Sequence, residues 1–244
     1  MRKRSLFFIA VPLLLYSVYT VVTTFFIRVT SLGIRKKVRK GNGIMLTFDD
    51  GPNPLYTPVL LDLLARHQIQ AVFFVVGKHA EQNPGIIRRM HEEGHSIGIH
   101  HYEHISTWRL TPEQTHQQIS RTAEVIKRIT GSEPVFYRPP WGRFNLVTPF
   151  VSHPYTTIMW THIIGDWKVR TCNEKLAERL RDIGADGSIV VLHDDGSNPG
   201  ADDEAPAHML HVLESYIREA IAEGIRFIPP DELTMKGQEH GHVH

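Results

Sequence analysis

The sequence predicts an α/β fold, a (β/α) barrel of about seven parallel strands, closed or nearly closed, preceded by an N-terminal transmembrane helix. Three observations lead there. Short apolar runs alternate about seven times with longer amphipathic stretches, the pattern of strands each returned by a helix. The amphipathic stretches stop repeatedly at glycine, as helices do. The chain's 244 residues suit one sizeable domain plus an appendage.

The elements follow in order. After Arg2, Lys3 and Arg4, residues 5–27 carry no charge and are rich in Leu, Ile, Val and Phe, enough to cross a hydrocarbon core of about 30 Å. No Ala-x-Ala-like cleavage site stands between Phe25 and Gly33, so residues 1–27 read as an uncleaved anchor. Arg28, Arg35, Lys36, Lys37, Arg39 and Lys40 outnumber the basic residues ahead of the span, but a large domain translocates regardless of such charge. The expectation is a single-pass cell-membrane protein with an extracytoplasmic domain. Residues 28–42 read as a basic linker beside lipid headgroups, residues 43–236 as the folded domain, and residues 237–244 as a loose polar tail.

Within the domain, 44–48, 71–76, 96–99, 135–137, 155–160, 189–192 and 225–228 are expected as strands. Helices are expected over 57–67, 83–93, 112–129, 173–183 and 206–223. Pro58 near a helix start, the Thr111-Pro112-Glu113-Gln114 cap, and Gly94, Gly131, Gly184 and Gly224 at the stops support them.

A formal net charge of +1 gives no domain-wide basic field, which argues against nucleic acid as a partner. The single cysteine, Cys172, forms no internal disulfide and stands outside any C-x-x-C spacing, so it reads as a packing residue. The chain is taken as a monomer.

In parallel barrels reactive groups gather at the carboxyl ends of the strands. Asp49-Asp50, the segment 100–104, the segment 138–141, Asp166-Trp167 and His193-Asp194 all follow predicted strands, so five polar clusters face one mouth. On residue chemistry alone Asp49-Asp50-Gly51 reads equally as a metal-and-base pair or as an Asp-Gly turn. Among 16 histidines about one pair spaced four apart is expected by chance. His91/His95 and His240/His244 share the spacing of His100/His104, but only His100 and His104 follow a strand on the active face. Two histidines and a carboxylate suit a catalytic zinc with open positions. His95, His101, His116, His153, His162, His208 and His211 read as surface or packing residues. The tail histidines His240, His242 and His244 read as solvated, and Asp202-Asp203-Glu204 as an exposed loop.

Taken together, the segments T-F-D-D-G-P (47–52), G-H-S-I-G-I-H-H-Y-E-H (94–104), R-P-P-W-G (138–142), D-W (166–167) and I-V-V-L-H-D (189–194) resemble the five motifs of the NodB-like polysaccharide deacetylases, carbohydrate esterase family 4. The resemblance covers residues 43–230. It implies the distorted barrel of the NodB-homology fold and a divalent metal, zinc before Co²⁺ or another ion, held by Asp50, His100 and His104. It implies Asp49 as general base paired with Arg138, and His193 as general acid oriented by Asp166. Trp141 would offer a backbone N–H to the oxyanion, and Trp167 and Leu192 would wall the acetyl pocket. His101 stands where the family has Ser or Thr.

The implied reaction is metal-dependent hydrolysis of N-acetyl groups on GlcNAc or MurNAc residues of peptidoglycan or a chitin-like glycan, releasing acetate. The metal polarises the carbonyl, Asp49 takes the water's proton and His193 protonates the leaving amine. Two alternatives stand beside it: deacylation of a lipid-linked sugar, and a catalytically silent, metal-braced glycan-binding module. The presence of both Asp49 and His193 argues against the last, since a pure binder needs neither acid nor base.

Overall fold

The strands that carry the site are apolar on both sides because both sides are covered, by helices outside and by barrel interior within. The computed structural model describes residues 2–39 and 41–234; Lys40 and the expected polar tail, 237–244, lie outside them. Its one sheet is parallel throughout: β1 (Ile34–Arg35), β2 (Gly43–Asp49), β3 (Val72–Val75), β4 (Ser96–Ile99), β5 (Phe136–Tyr137), β6 (Thr156–Ile158), β7 (His162–Ile163) and β8 (Asp186–His193), in the order β1-β6-β5-β4-β3-β2-β8-β7. The expected barrel is therefore a curled sheet of eight strands. Its curl is forced by chain length: only residues 159–161 separate β6 near one edge from β7 at the other. Such a segment reaches no more than about 14 Å.

Side chains alternate across the strands. Met45, Phe74, Phe136, Ile158 and Ile189 fill the inside with Ile228 and Leu233. Leu46, Phe48, Val190 and Leu192 point outward into the larger core under the helices. Those helices are α3 (Thr57–Arg66), α4 (Gly77–Gln82), α5 (Pro84–Glu92), α6 (Pro112–Thr130), α7 (Thr148–Val151), α8 (Val169–Glu174), α9 (Leu176–Arg181) and α10 (Ala205–Ala222). The Thr111 cap forms as the sequence requires: its hydroxyl accepts from Gln114 N–H at 3.2 Å, and Gln114 Oε1 accepts from Thr111 N–H at 2.9 Å.

Three expectations change. The helix expected over 173–183 is two short helices broken at Lys175. The last strand, 225–228, reduces to a single bridge of Phe227 to Ile44, fastened by Ile44 N–H to Arg226 O at 2.9 Å and Ile228 N–H to Ile44 O at 2.8 Å. The basic stretch 28–42 contributes edge strand β1, and Val38 is buried with its N–H on Gly187 O at 2.9 Å.

The apolar N-terminal segment is one helical rod, α1 (Arg2–Ser17) and α2 (Thr23–Thr30) joined through a π turn at Val18–Val22. Within Ala10–Thr30 an 18-residue window reaches mean hydropathy 1.8. The second half of the rod lies against the domain. Thr20, Thr24 and Ile27, which share one helix face, are buried. The Thr24 hydroxyl donates to Phe144 O at 2.7 Å and accepts from Phe144 N–H and Trp108 Nε1–H, both at 2.9 Å. Leu146 N–H donates to Tyr19 O at 2.9 Å, a carbonyl at the π turn, where the regular ladder is interrupted.

Candidate active site

Period-two alternation sends Thr47 and Asp49 of β2 to the inside of the curl, where they meet Arg138 at the end of β5. Arg138 is fully buried. Its Nη1 donates to Asp49 Oδ1 at 2.6 Å and Thr47 Oγ1 at 2.8 Å, Nε to Ile158 O at 3.0 Å and Nη2 to Met159 O at 3.3 Å. The guanidinium also stacks over Phe74, 4.0 Å from its centroid. The planar fork thereby ties β2, β5 and β6 together behind one carboxylate oxygen. Asp49 Oδ2 is left facing His100 Nε2 at 3.9 Å.

The chain leaves β2 through Asp50 in a left-handed conformation, φ 81°, which turns its carboxylate toward the loop after β4. There His100 Nε2 lies 3.3 Å and His104 Nε2 3.0 Å from Asp50 Oδ1. The three ligand atoms sit within 4.8 Å of one another, and all three residues are buried. His100 Nδ1–H donates to Arg138 O at 2.8 Å, so Nε2 is the nitrogen turned to the cluster, where it can offer a lone pair to a cation. Asp50 Oδ1 is buried and accepts no hydrogen bond in acceptable geometry. Burial opposes ionisation of Asp50; positive charge and N–H donation at this spot, from His104 and His100 when they are protonated and then from His193, outweigh it and hold the pKa well below the ordinary carboxylate value. Converging lone pairs around an orphaned carboxylate oxygen fit a divalent cation.

Opposite this cluster, His193 ends β8. Its backbone N–H donates to Asp166 Oδ2 at 2.6 Å and its Nδ1–H to Asp166 Oδ1 at 3.0 Å, leaving Nε2 toward the cleft. Burial alone would lower the imidazolium pKa; the Asp166 carboxylate, aided by Asp50 and Asp49, outweighs it and raises the value to about 10. Trp167 sits edge-on to the His193 ring with centroids 5.4 Å apart.

These groups line a cavity of about 220 Å³ with Trp141, Trp160, Ile163, Val191 and the segment 198–201. The structure thus brings Asp49, Asp50, His100, His104, Trp141, Trp167 and His193 to one cleft, with Arg138 and Asp166 directly behind Asp49 and His193. Leu192 is the exception. With His193 pointing inward, its neighbour must point outward, and Leu192 packs in the outer core while Val191 lines the cavity. The alternation already present in I-V-V-L-H-D carried that signal. Asp202 does not reach the cleft; it fastens the following loop to Lys168 Nζ at 2.7 Å and to Val169 N–H at 3.0 Å. Cys172 is buried in α8, its thiol donates to Asp166 O at 3.0 Å, and burial pushes its pKa up to about 12.

Behind the cluster stand residues to which the motifs assigned no role. His79 Nδ1–H donates to Asp50 O at 3.0 Å. Asp194 Oδ1 accepts from Gly51 N–H at 3.1 Å, and its Oδ2 accepts from Thr57 Oγ1 at 2.5 Å. A Cβ on Gly51 would stand 2.1 Å from that carboxylate, so only glycine lets the two approach. His101, at φ 63°, was expected as a surface or packing residue. Its imidazole spans the metal loop instead: Nδ1–H donates to Ile105 O at 2.7 Å and Nε2 accepts from Tyr137 O–H at 2.9 Å. A ring that bridges loop and β5 thus stands in the position where a shorter hydroxyl was expected.

A family model described as polysaccharide deacetylase matches residues 36–155. A peptidoglycan-N-acetylglucosamine deacetylase of Listeria monocytogenes is 33% identical over 198 residues, covering 81% of this chain and 40% of that protein. This chain therefore spans less than half the length of that relative. A peptidoglycan-N-acetylglucosamine deacetylase of Bacillus cereus is 31% identical over 198 residues, covering 80% of this chain and 70% of that one. The crystal structure of the Bc1960 peptidoglycan N-acetylglucosamine deacetylase superimposes with TM-score 0.74 at 27% identity, covering 86% of this chain and 97% of that one. On the family model, the relatives and the shared fold together, the chain belongs to the polysaccharide deacetylase family, the NodB-like group that its five motifs resemble.

Proposed function

We propose that the protein hydrolyses acetamido groups of N-acetylglucosamine or N-acetylmuramic acid residues in cell-wall glycan and releases acetate. The observation that carries this reading is the orphaned Asp50 Oδ1 between two imidazole lone pairs, flanked by a buried carboxylate–guanidinium pair and an imidazole–carboxylate pair. A pure glycan binder has no use for those flanking pairs. The names of the similar proteins support a peptidoglycan substrate.

Asp50, His100 and His104 are the ligands in this reading, and zinc is the ion that best suits two imidazoles and one carboxylate. The ion would polarise the amide carbonyl and lower the pKa of the attacking water. Asp49 accepts that water's proton on Oδ2, since Oδ1 is engaged by Arg138. The Trp141 backbone N–H meets the developing oxyanion; one such donor is worth about 10²- to 10³-fold in rate. His193 Nε2 gives its proton to the departing amine nitrogen, while the Nδ1–H bond to Asp166 holds the ring on line. Trp167 and Val191 wall the pocket for the acetyl methyl. The apolar N-terminal helix is the membrane anchor, with the domain on the extracytoplasmic side as a monomer.

The test is acetate release from N-acetylglucosamine oligomers and from purified peptidoglycan. Activity is expected to vanish on chelation and return with added Zn²⁺. Metal-independent release, or metal binding without any release from either substrate, overturns the proposal.

A further inference from the structure

The N-terminal rod does not end where the domain begins. From Tyr16 onward it runs beside the loops that follow β4, β5 and β6: Tyr16 and Tyr19 donate their hydroxyls to Trp108 O at 3.2 Å and Leu110 O at 3.1 Å. Arg28 places its guanidinium 5.3 Å from the ring centroid of Trp160, a residue of the cleft wall. Yet the opposite side of the same rod stays exposed and apolar through Leu14, Val18, Val22, Phe25 and Val29, and Leu32 just past its end is exposed as well. The domain continues this surface. Leu146, whose N–H is fastened to the rod, is 53% exposed, and Phe150 on α7 is 76% exposed.

A helix that merely tethered a distant domain would need its apolar face only up to the point where the domain starts. Here the apolar face spans the 21 residues Ala10–Thr30, about 31 Å of helix, and from Tyr16 on it is alongside folded protein. The exposed side is aliphatic and aromatic without polar groups, unlike a protein–protein patch with its polar rim. Basic residues gather at its far end, at Arg28, Arg35, Lys36, Lys37 and Arg39, the pattern of a segment meeting anionic headgroups.

We propose that the outer side of this rod, together with Leu146 and Phe150, is a single lipid-contact flank that seats the domain against the bilayer surface, with the cleft mouth at headgroup level. The glycan that enters the cleft is then one lying at the membrane surface. This rests on the anchor reading of the N-terminal helix. The hydrogen bonds of Tyr16, Tyr19 and Thr24 to the loops set the height of the mouth above the lipid.

The experiment uses the full chain in vesicles of phosphatidylglycerol and phosphatidylethanolamine carrying nitroxide-labelled lipid. An environment-sensitive fluorophore is attached at Phe150→Cys, at Leu14→Cys on the rod, and at Val59→Cys on α3. Cys172 is buried and stays unlabelled. The expected result is at least twofold lipid quenching at 14 and 150 and none at 59; Leu146→Cys repeats the measurement if Phe150→Cys does not fold. Quenching at 14 alone leaves the anchor intact and overturns the seated domain. No quenching at either position overturns both. Position 150 shielded from aqueous iodide but unquenched by lipid means that a second protein copy covers the flank, and the proposal falls.

Discussion

Replacing Arg138 by methionine would keep the stem of the side chain and delete a guanidinium that is fully buried. The loss strands the Asp49 carboxylate and takes a donor from the carbonyls of Ile158 and Met159 and from Thr47 Oγ1, which keeps its own bond to Val190 O; the bonds to the fork run from 2.6 to 3.3 Å. Breaking one side of a buried ion pair costs about 3–5 kcal/mol, and each orphaned neutral acceptor costs about 1 kcal/mol when the effects do not overlap. Allowing for overlap, Arg138→Met should destabilise the fold by about 4 kcal/mol. For a chain of this size that lowers the melting temperature by about 8–16 °C. Thermal unfolding of the detergent-solubilised chain measures it. The cost arises mostly from an unpaired charge, so Asp49→Asn combined with Arg138→Met should recover about 1.5–3 kcal/mol. A loss below about 1 kcal/mol, or a double variant that is simply additive, would refute the view that this pair organises the inner end of β2, β5 and β6.

Asp49→Asn alone should reduce turnover by about 10²- to 10⁴-fold while metal content, measured by elemental analysis, stays at one ion per chain; metal loss would mean that Asp49 is a ligand. Asp166→Asn removes the carboxylate that raises the His193 pKa. His193 must be protonated to act, so activity falls as pH rises through its pKa. The alkaline limb of kcat/KM should therefore move to lower pH than in the parent enzyme carrying the same metal; an unmoved limb contradicts the acid role. His101→Ser leaves Tyr137 O–H and Ile105 O without their partner. Metal affinity, read by competition with a fluorescent chelator, should weaken about 10- to 100-fold, and an unchanged value would reduce His101 to packing.

The parts of this fold that the sequence announced are those where burial is continuous or a cap is complete. The run Ile44–Phe48 reads as a strand because a parallel strand buried on both faces needs no alternation, and Thr111 to Gln114 encodes its own two hydrogen bonds. The two-residue edge strands Ile34–Arg35 and His162–Ile163 are too short to show any period, and their existence depends on partners far along the chain. Residues 225–228 look like a strand because Ile225, Phe227 and Ile228 are apolar; they run along only one residue of β2. At the site, Asp49, His100, Arg138 and His193 stand at or just after the ends of β2, β4, β5 and β8, where the rule that polar groups gather at strand ends looks for them. The rule of alternation, applied one step further, separates Val191 from Leu192. The bracing by His79 and His101 was illegible because it depends on left-handed backbone at Asp50, His101 and His104, which no local propensity announces.

The three-residue passage from β6 to β7 sets a limit on how this scaffold can diversify. Lengthening it would let the two edges of the sheet drift apart and carry away the Met159 carbonyl that Arg138 holds. Insertions that retune substrate choice must therefore fall elsewhere on the mouth. The segment 198–201 suits them, because it lines the cleft while bearing none of the groups that join one strand to another.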